Sequence, residues 1–288
     1  MAIEPELIIR FIAFLILYLR RCLVGFKFCS LFSGSSGNSS YIGTDQAHIL
    51  VDAGLTGKAV EAALKKLDIG ASVLQGILIT HEHDDHIRGA GVLSRRYNIP
   101  IYANQGTWEA MESKIGKISI NNIRVFDTDR DFYINDINVH PFGIPHDAAA
   151  PVGFCFFNRG KKISIATDLG HTNSKIINTV MDSDLVVLEA NHDPEMLKGG
   201  SYPYHLKRRI MGRKGHLSNE DAGLALTKIM NGKLIRVLLA HLSAKNNIPQ
   251  LAYQTVVQML AAQGIVNGRD IVVDMTYRDR IGNFYHIG

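Results

Sequence analysis

The sequence predicts an α/β fold, with an α+β character in its middle, in a single domain that begins near residue 26. Three observations carry this reading. Short apolar strands alternate with amphipathic helices over most of the chain, the stretch from about 132 to 167 is rich in strands, and no repeat, low-complexity tract or linker divides the sequence. The 288 residues suffice for a sizeable core, and 46% hydrophobic with 20% charged residues is ordinary for a soluble globular protein. A formal net charge of +4 is mild and points to no class of partner by itself.

The elements follow in order. "LIIRFIAFLILYLRR" (7–21) is strongly apolar, but Arg10 interrupts it and the clean run 11–19 is shorter than the roughly 20 residues of a spanning helix. Its basic pair, Arg20 and Arg21, follows the apolar run, and no small-residue cleavage site comes after, so it does not read as a signal peptide. Residues 1–25 read as an extension outside the natural mature protein; a weak membrane anchor and a buried terminal helix are the alternatives. The domain, 26–288, opens with the strand "FKFCSLF" (26–32), the Gly/Ser turn "SGSSGNSS" (33–40) and the strand "HILVDAG" (48–54). A helix at 58–67, a buried strand at 73–80, a helix at 89–98 and a short strand "IYA" after Pro100 come next. A hairpin with an Asn-Asp turn spans 132–142, and strands at 152–158 and 161–167 pair. The remainder returns to alternation: helix 174–181, strand 184–190, helix 219–230, strand 234–241, helix 249–263 and a last strand near 270–275. Cys22, Cys29 and Cys155 are odd in number and lack C-x-x-C spacing, which predicts free thiols in a reducing compartment, hence the cytosol.

The strand at 73–80 runs into three histidines and three acids within six positions, "HEHDDH" (81–86). Residues two apart on an extended backbone point the same way, so His81 and His83 can close on one ion; after the chain turns, Asp85 and His86 can close on a second. Neutral imidazoles and carboxylates suit zinc, manganese or iron better than calcium or magnesium. A solvated loop rich in His and Asp explains any one pair here, but poorly explains all four at this spacing. Two sites need further ligands, and three candidates stand at strand ends: His146 after the hairpin, Asp168 after "ISIAT" and His241 after "VLLA". Glu82 and Asp84 occupy the variable places of the cluster and are left out.

This order, H-x-H-x-D-H followed by His, Asp and His, resembles the metallo-β-lactamase superfamily from residue 26 onward. The resemblance implies a four-layer αβ/βα sandwich, two mixed sheets flanked by helices, with two divalent ions (zinc or manganese) at one edge. By that resemblance His81, His83 and His146 hold one ion, Asp85, His86 and His241 the other, and Asp168 bridges them. β-Lactamases of this fold carry Cys where Asp168 stands, which disfavours antibiotic hydrolysis. Two divalent ions with two carboxylates leave a positive centre, which suits an anionic phosphodiester and also tolerates a thioester.

The segment 187–223 separates these options. Glu189-Ala190 and "GHLS" (215–218) resemble the Glu-Ala and Gly-His-Ser/Thr elements of phosphodiesterase members, in which the histidine, paired with the glutamate, protonates the departing oxygen; the roles fall to His216 and Glu189. Between them lie Lys207, Arg208, Arg209, Arg213 and Lys214, five cations in eight residues. A charge run usually means a solvated face; next to His216, contact with the phosphates of a nucleic acid is the favoured reading. Only 22 positions separate His146 from Asp168, too few for the long arm of tRNA-processing enzymes, and no room follows Asp168 for a β-CASP insertion. The remaining match, "SLFSGSSGNSSYI", "PHDAAAPVGF" and "EANHD" with "GHLSN", resembles the YycJ-type (WalJ/VicX) subfamily. It implies a 5′→3′ exonuclease of double-stranded DNA linked to a cell-wall two-component regulon. The rival expectations are a thioester hydrolase of the glyoxalase II kind, with the same seven ligands, and a non-enzymatic metal-binding accessory protein of a signalling system, with membrane contact only if 7–21 is a real anchor. Ser33–Ser40 could offer backbone amides to a phosphate or be merely a tight turn, and His171 and His192 could support the ligands. His140 reads as a surface residue, and His48, His205 and His286 carry no assigned role.

Overall fold

The computed structural model describes residues 25–288, so the apolar segment 7–21 and the reading of it as an extension lie outside the described residues. Among the described residues no helix is long and apolar enough to cross a membrane.

The strands of the described residues build two seven-stranded sheets. The first contains β1 (Phe26–Phe32), β2 (Ser39–Gly43), β3 (His48–Val51), β4 (Gly76–Leu78), β5 (Ile101–Asn104), β6 (Ile123–Phe126) and β14 (Tyr285–Ile287), in the order β14-β1-β2-β3-β4-β5-β6. The second contains β7 (Phe132–Ile134), β8 (Ile137–Gly143), β9 (Val152–Asn158), β10 (Lys161–Ala166), β11 (Leu185–Glu189), β12 (Ile235–Ala240) and β13 (Ile271–Met275), in the order β13-β12-β11-β10-β9-β8-β7. Both sheets are mixed: β3 to β6 run parallel, as do β10 to β13, and the remaining neighbours are antiparallel.

Strand alternation sorts the apolar side chains into layers. In β9, Phe154 and Phe156 enter the core between the sheets, whereas Cys155 faces the helices outside the second sheet. In β1, Phe26 and Phe28 face inward, whereas Cys29 and Leu31 meet the helices outside the first sheet. Three cores result, one between the sheets and one under each helical layer, which is the four-layer sandwich the resemblance implies. Cys29 and Cys155 are buried free thiols.

Differences from expectation have local causes. The strand expected over 73–80 shortens to β4, because a 3₁₀ turn occupies Ala71–Val73 and Thr80 leaves the ladder: its amide and hydroxyl both bond Asp52, each at 2.9 Å. The strand expected to reach 54 stops at Val51, where Asp52 takes φ 60°. A helix at Gln105–Ile115 and the strand β6 were not anticipated, although Asn104 caps the helix, Trp108, Met111 and Ile115 line its buried face, and Gly116 at φ 74° ends it. Likewise Asp193 caps the helix Pro194–Gly199, whose first residue is proline. Another unanticipated helix, Tyr204–Ile210, carries part of the basic run.

Candidate metal centre

The site assembles at the carboxyl ends of parallel strands from both sheets, where open α/β sheets characteristically bind ligands. β3 leads to Asp52, β4 to His81 and β10 to Asp168, β11 ends in Glu189, and β12 leads to His241. Asp52, Asp168 and His241 all hold left-handed backbone, φ 60°, 59° and 56°, a conformation costing on the order of 1–3 kcal/mol for a residue with a side chain. Each turns the chain sharply out of its strand, and each side chain is engaged in the site.

The seven predicted ligands are brought together. Ligand-capable atoms of His81, His83 and His146 lie within 4.8 Å of one another, as do those of Asp85, His86 and His241, and as do those of His81, His86 and Asp168. His83 precedes the short helix Asp84–Ile87, which turns Asp85 and His86 toward the centre. Asp168 sits between the two groups: Oδ2 is 3.5 Å from His86 Nε2, and Oδ1 is 3.9 Å from His146 Nε2 and 3.5 Å from His241 Nδ1.

Three of the imidazoles are fixed through Nδ1. His86 Nδ1 donates to Asp52 Oδ2 at 2.7 Å, His146 Nδ1 donates to the Gly215 carbonyl at 3.2 Å, and His241 Nδ1 donates to Glu189 Oε1 at 2.7 Å. This turns Nε2 of each toward the centre, the arrangement that orients metal-binding histidines. Nε2 of His146, Nε2 of His241 and Oδ2 of Asp168 are buried with no hydrogen-bond partner among the described residues. Buried polar atoms are costly unless paired, and an ion among them would satisfy all three. The donor set therefore fits divalent metal.

Electrostatics agree. Burial, then the positive potential of His86 and His146, holds His81 well below the usual imidazole range, in the neutral form a metal requires. Burial opposes charge on His86, but Asp52, Asp168 and Asp85 outweigh it and raise the ring to about 9. His241 is likewise raised against its burial by Asp168, Asp85 and Glu189. Protons on these two rings balance the carboxylates, and a metal ion would replace them.

Glu189 is wholly buried yet accepts four N–H groups. Oε1 takes His216 Nδ1 at 2.8 Å and His241 Nδ1 at 2.7 Å; Oε2 takes the amides of Leu169 at 2.8 Å and Leu217 at 3.1 Å. Burial alone would raise this carboxyl, but the two histidines hold it far below the carboxylate range. Burial also disfavours charge on His216, and Glu189 overcomes that and raises it. With Nδ1 committed to Glu189, His216 lines a cavity of about 160 Å³ shared with Tyr202, Arg209, His241 and Ser243.

Of the five predicted cations, Arg209 lines this cavity, paired with Asp147, whose other oxygen is 3.4 Å from His146 Nε2. Lys207 donates to the Lys198 carbonyl at 2.6 Å, Arg208 lies over the Tyr204 ring, and Arg213 and Lys214 are exposed in the following loop. His171 donates to the Arg213 carbonyl at 2.9 Å. His192 is buried and lowered to about 4 by that burial. His140 pairs with Asp131 at the surface.

Sequence reasoning missed Asp52, Asn38, Ser33 and Asp147. Asp52 closes an apolar strand as Asp168 does, so the signal was present. Ser33 and Asn38 lie in the Gly/Ser turn, where their partners are distant in sequence: Asn38 Nδ2 is 3.1 Å from His86 Nε2, and the amides of Asn38 and His241 donate to the Asp85 carbonyl and Ser33 Oγ, both at 2.8 Å. The amides of Gly34, Gly37 and Asn38 are all spent inside the protein, so the turn does not hold them out to a phosphate. Gly54 is required by close approach, since a Cβ there would sit 1.6 Å from the Asp85 carbonyl oxygen.

Comparisons with known proteins agree with this geometry. The Beta-lactamase superfamily domain matches residues 47–241. The chain is 44% identical to Exodeoxyribonuclease YycJ of Bacillus anthracis over 241 residues, 84% of this chain and 91% of the relative. It is 41% identical to Exodeoxyribonuclease WalJ of Streptococcus pneumoniae over 258 residues, 89% of this chain and 96% of the relative. Among solved structures, the metallo-beta-lactamase fold protein YhfI from Bacillus subtilis superposes with a TM-score of 0.67 at 15% identity, covering 90% of this chain and 99% of that one. The chain thus belongs to the beta-lactamase superfamily and, within it, to the family of the exodeoxyribonucleases YycJ and WalJ.

Proposed function

We propose that this hydrolase is a phosphodiesterase that removes nucleotides from DNA, acting 5′→3′ on double strands, with two divalent ions of zinc or manganese per chain. His81, His83 and His146 would hold one ion, Asp85, His86 and His241 the other, and Asp168 would serve both. When bound, the ions supply Lewis acidity and a nucleophile at neutral pH. The Glu189–His216 pair at 2.8 Å, with the buried glutamate behind a histidine that lines the cavity beside the metal ligands, carries the assignment to phosphodiesters. Glu189 holds His216 protonated through Nδ1 and orients the ring, so that a proton can pass from His216 to the oxygen leaving phosphorus. Such general acid assistance contributes about 10²–10⁴-fold, because an alkoxide leaves poorly without it. Arg209, held by Asp147 at the rim, positions the phosphate backbone without reading bases. The two family relatives named as exodeoxyribonucleases support DNA as the substrate. Buried free thiols fit a reducing, cytosolic setting.

The test is to incubate the purified protein with manganese or zinc and end-labelled duplex DNA, single-stranded DNA or RNA. Stepwise release of mononucleotides from the 5′ end of the duplex is the expected result. Preference for RNA, or hydrolysis of thioesters with no cleavage of DNA, would overturn it.

A further inference from the structure

Beside the metal centre lies a second cavity, of about 290 Å³, bounded by the Ser33 turn, the loop after β12, and residues 276–279 beyond β13. Ser243 lines both cavities, and Ser33, in the wall of the second, accepts the backbone amide of His241 at 2.8 Å. The two spaces are therefore neighbours along one surface.

The chemistry of the second cavity is that of an anion site. Arg278 lines it, half-buried, with Nη2 donating to the Leu242 carbonyl at 2.8 Å and Nε turned away from the cavity against the Gly34 turn, so Nη1 carries the donors left for a ligand. The helix Pro249–Ala262 begins at its wall: Pro249 lines the cavity, and Ile248 before it supplies no side-chain cap. First-turn amides have no acceptor within a helix, and the aligned peptide dipoles place positive potential at this end. Tyr277 lines this cavity and carries Arg280 on its ring at 3.9 Å to the centroid, and Tyr202, which lines the cavity at the metal centre, carries Lys245 at 5.5 Å. Among the described residues Asp279 is the one carboxylate in the lining, and it is exposed to solvent. Aromatic rings paired with cations along a groove are how proteins track a nucleic-acid strand without reading its sequence.

We infer that this cavity is a phosphate subsite for the strand whose scissile bond lies at the metal centre, with Arg278 as its main contact. The inference rests on the phosphodiesterase reading and adds to it a second, defined contact outside the basic run 207–214. Either a terminal phosphate monoester or an internal diester fits the site.

Arg278→Gln tests it, assayed with manganese on duplexes bearing a 5′-phosphate or a 5′-hydroxyl, and on bis(p-nitrophenyl) phosphate, which engages the metal centre alone. The KM for DNA should rise by about 10- to 100-fold, the worth of one charge-assisted hydrogen bond. The salt dependence of DNA affinity should lose about one unit of slope. Turnover of the small diester and metal content should hold, and Arg278→Lys should restore the slope. A KM increase confined to the 5′-phosphorylated duplex identifies a terminal phosphate, and an equal increase on both duplexes an internal one. Pro249→Glu is the second variant, since a carboxylate in a first helical turn favours the helix while placing negative charge in the cavity; it should weaken DNA binding alike, and it decides the matter if Arg278→Gln does not fold. Unchanged KM and slope in the folded variants, or equal loss on the small diester, would overturn the inference. A parent inactive on every substrate would instead end the phosphodiesterase reading, and the binding titration, which needs no turnover, would still report on the subsite.

Discussion

Glu189 carries two duties at once, orienting His241 for metal and His216 for proton transfer, through one oxygen. His216 itself is separable from the metal. His216→Ala should keep its bound metal and its DNA affinity, yet lose about two to four orders of magnitude in kcat on DNA. A p-nitrophenyl diester, whose phenolate leaves unaided, should lose far less. Equal losses on the two substrates, or loss of metal, would make His216 a ligand or a structural residue. Asp168 is the opposite case: it stands between both groups of ligands, so Asp168→Ala should reduce both metal content and activity. Metal analysis finding two ions per chain still bound would refute its bridging role.

At the scale of elements, strand ends and the loops beyond them do the positioning. The helix Tyr204–Ile210 carries Lys207, Arg208 and Arg209, but the cavity receives only Arg209 of the five cations. Neutralising Arg208, Arg209 and Arg213 together should weaken DNA binding and flatten its salt dependence, each lost phosphate contact lowering the slope by about one unit. An unchanged slope would return the run to a solvated face. Elsewhere, Asp184 ties the start of β11 to β10. Its carboxylate accepts the Lys162 amide at 2.9 Å and pairs with Lys233 at 2.9 Å and Lys161 at 3.6 Å. Burial alone would raise its pKa, but these partners lower it. A depressed carboxylate stabilises the fold above its unfolded pKa, about 3.9, and that contribution is lost as pH falls through the folded value. Asp184→Asn should therefore cost about 1 kcal/mol at pH 7, with the difference shrinking below about pH 4 in urea titrations. A pH-independent difference would mean that packing, not charge, is what the substitution removes.

For the whole molecule, the two sheets act as one device because their inward faces interlock. Phe26 and Phe28 of the first meet Phe154 and Phe156 of the second in the central core, and fully burying each such ring is worth about 1.5–3 kcal/mol. That shared core holds His81 and His86 from the first sheet against Asp168 and His241 from the second. Any slip of one sheet on the other would separate the two halves of the metal centre.

Fold class and ligand types were legible in the chain alone. Alternation with period two and amphipathic spacing are local, and H-x-H-x-D-H with His146, Asp168 and His241 at strand ends is visible in a one-dimensional reading. The helix at Gln105–Ile115 was also legible, from its Asn104 cap and apolar spacing, and went unread. It takes the folded chain to show that Asp52 backs His86, that Glu189 serves two histidines, that Asn38 and Ser33 brace the site, and that Arg278 lines a cavity beside it. The partners in those contacts come from different strands and loops, 48 positions apart for Asn38 and His86 and 208 for Ser33 and His241. Which of them meet depends on how strands are ordered and how two sheets pack, and neither leaves a local periodicity in the chain.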